Sequence, residues 1–309
     1  MVEFIVGFST IVAAVAAVGV LFMLWGTSSM SKGETKLPAR EIPPTAVMTD
    51  KMTYWKIGGV SLAGFSHLKE GIPCQDANAF RIRDDGQLIA AISDGSGSAR
   101  YSHIGAQAFV DTVVSRIYHQ PSSEKFDPQR IASWIATSVN DTRDQLIRHG
   151  DDLQDEGPSS LSDFAATLIV VVANLDDGAF FHVGDGAGTA FNSVNNAEVT
   201  VSKPENGEYA NETYFLTMDD WERHLRIIPF IKKNPDTILL MSDGVTPMAM
   251  SKGCALPEFE NFVKPVVKFL NDNDKETGEA GVTSTLSADG VRKITGDDKT
   301  LLWAIRVPS

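Results

Sequence analysis

Short apolar runs broken by Asp-Gly turns recur along this chain. Residues 79–82 alternate apolar and polar side chains, Asp84-Asp85-Gly86 follows, and residues 88–92 are apolar. The phrase returns as an apolar run at 168–172, the turn Asp176-Asp177-Gly178 and a second run at 179–183. Strand-length runs bounded in this way read as β-hairpins. Residues 237–241 and 300–307 predict two further strands. Two stretches change to a helical period. They carry Ala106, Val110, Val113 and Ile117 within 104–117, and Ile131, Ile135, Val139 and Leu146 within 127–149. Pro128 suits the first turn of the second helix. A third helix is predicted near 257–270 from Phe259, Phe262, Val263 and Val266, with Pro265 straining its middle. Hairpin-linked strands with a pair of long helices between them predict an α+β fold rather than a doubly wound α/β one. No Gly-rich phosphate loop stands between a strand and a helix.

The first fifty residues follow a different pattern. From Phe4 to Trp25 no side chain is charged. At about 1.5 Å per residue this run is long enough to cross a hydrocarbon layer of about 30 Å. Lys32, Lys36 and Arg40 follow it, against Glu34 and Glu41, a bias that puts the following domain on the cytoplasmic side. The expectation is therefore a transmembrane anchor over 1–27, a polar tether over 28–50 and one domain over 51–309. The protein would then cross the cell membrane once and have the membrane as a partner. A cleaved leader fits less well, because no Lys or Arg precedes the apolar run.

Composition narrows the chemistry. A chain of 309 residues has room for one domain of roughly 250 residues with a proper core. Its 27 basic and 40 acidic residues give a net charge of -13. With no basic stripe, binding to a nucleic-acid backbone is excluded as an expectation. Cys74 and Cys254 are the two cysteines. They make no disulfide framework and no zinc-ligand spacing, and both read as small buried hydrophobes.

Three apolar strands run directly into Asp-Gly: Ser93-Asp94-Gly95, Gly184-Asp185-Gly186 and Ser242-Asp243-Gly244. Asp85, Asp177 and Asp289 are ordinary turn formers. Asp94, Asp185 and Asp243 instead sit where a sheet fixes the strand end, and a rigid end places a ligand accurately. Crowded carboxylates repel one another, and divalent cations relieve that repulsion. Hard ions such as Mg²⁺ and Mn²⁺ take oxygen ligands. Two such ions about 3.5 to 4 Å apart activate a shared water and polarise a phosphoryl oxygen. Asp76 and Asp297 would complete the cluster from the two ends of the domain, and glycine after aspartate lets its carbonyl approach an ion.

These residues carry a resemblance. Gly64-Phe65-Ser66-His67, then Gly71-Ile72-Pro73-Cys74-Gln75-Asp76-Ala77, then Ser93-Asp94-Gly95-Ser96-Gly97 with Gly105-Ala106, then Ala166-Thr167-Leu168, His182-Val183-Gly184-Asp185-Gly186, Ser242-Asp243-Gly244 and Asp297-Asp298-Lys299-Thr300 stand in one order. Over most of residues 60–307 the chain resembles the metal-dependent PP2C-type protein phosphatases, in their bacterial branch with a Gln-Asp first motif. The resemblance implies two packed antiparallel β-sheets flanked by helices, with an active site at one end holding two Mg²⁺ or Mn²⁺ ions. It implies that Asp76 and Asp94 serve both ions, that Gly95 lends its carbonyl, and that Asp243 and Asp297 hold one ion. Asp185 resembles an aspartate that some bacterial members use near a third, looser ion; the alternative is a turn carboxylate that orders the strand end. The implied reaction is hydrolysis of phosphoserine or phosphothreonine monoesters on a phosphorylated protein.

The chain also departs from the family pattern. Gly71 stands where the family often has a phosphate-gripping arginine, which leaves Lys69 and Arg100 as the expected phosphate cations. Asp298 stands where asparagine is usual, and is expected to face its own backbone as the amide would. His67 is a candidate general acid, with His103 as a second, while His182 reads as a core histidine. Trp221 reads equally as a protein-contact or a buried residue. The competing function is a membrane-anchored, non-catalytic adaptor that binds phosphorylated partners. The sequence does not fix the oligomeric state.

Overall fold

The structure, a computed structural model, describes residues 55–121, 125–150, 160–194, 196–205, 213–231 and 233–306. Two five-stranded antiparallel sheets lie face to face between layers of helices. The first sheet holds β1 (Trp55–Leu62), β10 (Lys299–Arg306), β9 (Thr237–Met241), β6 (Ala187–Asn192) and β7 (Ala197–Ser202), in that order. The second holds β2 (Ala77–Ile82), β3 (Leu88–Ser93), β4 (Leu168–Ala173), β5 (Gly178–Val183) and β8 (Arg226–Phe230).

The central strands read as unbroken apolar runs because both of their faces are buried. In β4, Ile169, Val171 and Ala173 turn to the seam between the sheets. Leu168, Val170 and Val172 turn outward under helices. Those helices are α2 (Ser102–Tyr118) and α3 (Pro128–Gly150), whose predicted apolar positions, Ala106 and Ile135 among them, pack on this face. The same split divides Leu302 and Ala304 from Leu301, Trp303 and Ile305 in β10. Here the cover is α5 (Lys264–Asp272) and α6 (Lys275–Leu286), through Val267, Leu270, Val282 and Leu286. At about 25 cal/mol per Å² of apolar surface, these three buried layers dominate the stability of the fold.

The irregularity expected at Pro265 takes the form of a π turn over Phe259–Val263, after which α5 follows with the proline in its first turn. Strands β1 and β6 to β8, the short helices α1 (Phe65–Glu70) and α4 (Thr246–Ala249), and α6 are additions to the sequence expectation.

The expectation of a membrane anchor is corrected. No helix among the described residues is long and apolar enough to cross a membrane. The stretch from Phe4 to Trp25 on which that expectation rested lies outside the described residues. The single-pass location, the membrane partner and the transmembrane element of the fold fall with it.

Candidate metal centre

Sheet register brings the aspartates to one end of the molecule. Asp94 follows the last residue of β3, and Asp76 precedes β2, whose Ala77 pairs with Ser93. Asp243 lies two residues beyond Met241, which pairs with Leu301 of β10 on one side and Ala187 of β6 on the other. Asp185 sits in the turn that carries the chain from β5 in one sheet to β6 in the other. Carboxylate oxygens of Asp94, Asp185 and Asp243 all lie within 4.8 Å of one another. Asp76 and Asp297 interact electrostatically with members of this trio. Five of the aspartates named from the sequence therefore share one site, and Asp297 is its exposed member.

Hydroxyls and backbone lock the strand ends together. The Ser242 hydroxyl donates to Asp76 Oδ2 at 2.8 Å and accepts from the Thr300 N–H at 2.9 Å, joining the two sheets beneath the cluster. The Ser93 hydroxyl donates to the Thr167 carbonyl at 2.6 Å, and the Asp94 N–H donates to Thr167 Oγ1 at 3.0 Å. Gly95 pairs with Ala166. A side chain on Gly95 would press on the Gln75 carbonyl and the Ser102 Cβ, at 2.6 and 2.9 Å. Gly184 takes φ +115, a conformation that favours glycine. Sequence reasoning named Ser242, Thr167 and Thr300 as motif members and missed their role as ties. The available signal was the repeated phrase Ser-Asp-Gly, in which each serine is a tie.

Electrostatics mark the cluster as a cation site. Burial pushes the Asp76 carboxyl up to about 7, helped by the charges of Asp298 and Asp243 and opposed by hydrogen bonds from Ser242 and Thr300. Burial likewise raises Asp243 to about 6, with Asp297 and Asp185 adding to it. Asp94 is raised well above the ordinary range by burial and then by Asp76, Asp243 and Asp185. Asp185 is raised by burial, against a hydrogen bond from Thr213. Asp76 Oδ1 and Asp243 Oδ1 are buried without a hydrogen-bond partner. Buried acceptors left in this way are costly, and hard divalent cations are the partners that oxygen donors of this kind fit.

His67, in α1, has Nδ1 2.8 Å from Asp298 Oδ1. Asp298 is buried and does not face its own backbone, as the sequence led us to expect; it reaches across to the loops at Gly64 and Gln75. Lys69 is exposed in the last turn of α1. Gly71 ends that helix at φ 71, a left-handed position in which the family's usual arginine would be strained. Arg100 pairs with Asp163 at 3.2 Å and lies over the Tyr101 ring. His103 is held below its ordinary pKa by burial. His182 is fully buried, with Nδ1 2.8 Å from the Ser202 hydroxyl. Trp221 is buried, and its indole N–H donates to Asn140 Oδ1 at 3.3 Å, which rules out a surface contact role. Cys74 and Cys254 are half-buried rather than buried.

The sequence profile described as Protein phosphatase 2C matches residues 63–287. The chain belongs to the protein phosphatase 2C family. It is 24% identical over 261 residues to Serine/threonine-protein phosphatase 3 of Escherichia coli strain K12, covering 81% of this chain and 99% of that one. The fold is shared with serine/threonine phosphatase Stp1 from Staphylococcus aureus, at TM-score 0.55 and 15% identity, over 85% of this chain and 100% of that one. It is shared also with the catalytic domain of PstP, crystallised with two manganese ions, at TM-score 0.52 and 14% identity, over 83% and 100%. The protein is a metal-dependent serine/threonine phosphatase acting on phosphorylated protein, and its aspartate cluster has oxygens close enough together to hold a metal ion. The adaptor reading finds no support.

As a phosphatase 2C, the protein needs no cysteine nucleophile. The Cys74 thiol, beside the cluster, donates to the Asp76 carbonyl at 3.6 Å. Burial and the charges of Asp76 and Asp298 raise its pKa far above the ordinary thiol range, so it holds almost no reactive thiolate at neutral pH. Cys74→Ala is expected to keep kcat within about 3-fold of the wild type on a phosphopeptide. A loss of activity approaching that of an aspartate variant would contradict this.

Proposed function

We propose that the phosphatase holds two Mg²⁺ or Mn²⁺ ions between Asp76, Asp94, the Gly95 carbonyl, Asp243 and Asp297, and that Asp185 serves a third, looser ion. The observation that carries this is the gathering of Asp94, Asp185 and Asp243 oxygens within 4.8 Å. Two manganese ions in the PstP structure support the ion count and the metal. Bound ions supply an acidified water and neutralise charge on the phosphoryl oxygens. Residues 51–309 make up the catalytic domain.

The chain's own groups do the rest. Asp76 and Asp94 would act as the catalytic carboxylates, standing side by side at the ends of β2 and β3, with Asp76 tied through Ser242 to the other sheet. Ser242 holds Asp76 in its rotamer, and the Thr167 hydroxyl, which accepts from the Asp94 N–H, holds the loop of Asp94. Lys69 and Arg100 draw in the phosphate dianion, Lys69 from an exposed helix turn and Arg100 from its place against Asp163. His67 gives a proton to the departing serine or threonine oxygen. Crystals of residues 50–309 soaked in Mn²⁺ test the scheme by anomalous diffraction. Two strong peaks among Asp76, Asp94, Asp243 and Asp297 and a weaker one at Asp185 are expected. The absence of peaks at these carboxylates at millimolar Mn²⁺ would end it.

A further inference from the structure

We propose that Asp298 is a positioning residue for His67, and that this chain requires a carboxylate there where its family usually has an amide. The proposal rests on the reading of His67 as the proton donor. Asp298 is 3% exposed, immediately before β10. Its Oδ1 accepts from the Gly64 N–H at 2.6 Å and lies 2.8 Å from His67 Nδ1, while Oδ2 accepts from the Gln75 N–H at 2.5 Å. A backbone N–H only donates, so both oxygens must accept. An asparagine offers one acceptor oxygen. Its NH₂ group would face either Gly64 N–H or Gln75 N–H, donor against donor, in a buried place where an unmade hydrogen bond costs most. The loops at Gly64 and Gln75 are therefore shaped to a carboxylate.

The same carboxylate orders the imidazole. It draws the proton of His67 onto Nδ1 and fixes the ring, as carboxylate partners of functional histidines do. Nε2 is then the nitrogen that exchanges a proton with the substrate. In the step, the ester P–O bond breaks with its electron pair passing to the serine or threonine oxygen, and that oxygen takes the proton from Nε2. The oxygen of water makes the new P–O bond and sheds its proton to solvent, from which His67 is reprotonated.

Asp298 also fastens Gln75, next to Asp76, so a purely structural role would disturb the hydrolysis of every phosphoester alike. Leaving groups separate the two roles. A serine alkoxide needs a proton as it leaves, whereas p-nitrophenolate does not. With saturating Mn²⁺, Asp298→Asn is expected to lower kcat on a phosphoserine peptide by about 30-fold, less than the ~10²-fold or more of a whole general acid because the imidazole itself is kept. On p-nitrophenyl phosphate it should lower kcat by less than about 3-fold. His67→Gln should show the same selectivity, with little further loss in the double variant. Equal losses on both substrates, or none, overturn the role of Asp298. Selective loss in His67→Gln alone removes Asp298 and leaves His67 standing, and selective loss in neither removes the His67 reading itself. Nitrogen-15 NMR of the wild-type imidazole in Mg²⁺ needs no variant to fold. It should find a proton on Nδ1, and a neutral ring protonated on Nε2 alone would overturn the proposal.

Discussion

Asp94→Asn and Asp243→Asn are each expected to abolish phosphatase activity, on the order of 10³-fold or more in kcat/KM with Mn²⁺, while the metal-free variants melt no lower than the wild type. Both halves follow from one geometry. Asp94 and Asp243 lie at the ends of β3 and β9, one from each sheet, so losing either charge weakens the cation site from one side. The amide keeps the volume and the fold but offers one neutral oxygen where the ions need an anion. The loss in rate exceeds the 10²–10³-fold typical of one electrostatic donor, because nucleophile and charge neutralisation go together. In the metal-free chain the carboxylate is a liability. It is half-buried, raised in pKa and repelled by Asp76, Asp185 or Asp297. Removing that charge should leave Tm in EDTA unchanged or raise it by about 2–4 °C, the equivalent of roughly 1 kcal/mol. Calorimetry in EDTA and initial rates on a phosphothreonine peptide check the two halves. A variant that stayed active, or that lost activity only through a large drop in Tm, would show the aspartate to be part of the scaffold.

The strand ends were legible in the sequence because apolar residues and Asp-Gly adjoin there without interruption. β3, β4, β5, β9 and β10 emerged for that reason, and Asp94, Asp185 and Asp243 with them. Periodicity found α2 and α3 because their buried faces, Val110 and Val113 or Ile135 and Val139, keep a helical step. It did not reach β7 or β8, where exposed or half-exposed residues such as Glu198, Ile228 and Pro229 blur the pattern. Nor did it resolve the π turn before α5, since one extra residue in a turn leaves no mark on composition. What a single chain could not disclose was pairing across its length. Asp298 with Gly64, His67 and Gln75, and Ser242 with Asp76, are partners more than 160 positions apart, and only the assembled sheets bring them together. Gly71 is the converse case. It looked like a missing arginine, and its left-handed backbone explains why a glycine stands there.

Divalent cations are expected to stabilise the folded protein by an amount that grows steeply with pH, negligible near pH 4.5 and about 10 °C in Tm near pH 7.5. An aspartate in the unfolded chain titrates near 3.9. In the metal-free fold Asp76 is pushed up to about 7 and Asp243 to about 6, with Asp94 and Asp185 also raised. A carboxyl whose folded pKa is raised contributes stability that is fully present below the unfolded value and is lost as pH climbs through the folded value. The metal-free protein therefore weakens between about pH 4 and 7, and every tenfold difference in proton affinity between the folded and unfolded carboxyl corresponds to about 1.4 kcal/mol. His182, buried and held neutral, works in the opposite direction. Its contribution is present above the ordinary histidine pKa and fades as pH falls below it. Asp163, held low chiefly by the Ser160 N–H, acts only at pH values below that window. His182 and Asp163 stand apart from the cluster and act equally with and without metal, so the difference between melting curves in Mg²⁺ and in EDTA isolates the cluster. Ions bind the deprotonated carboxylates and add their own linkage in the same direction. A difference in Tm that stayed flat from pH 4.5 to 7.5, or that shrank, would mean that these carboxylates neither repel in the free fold nor meet the ion in the bound one.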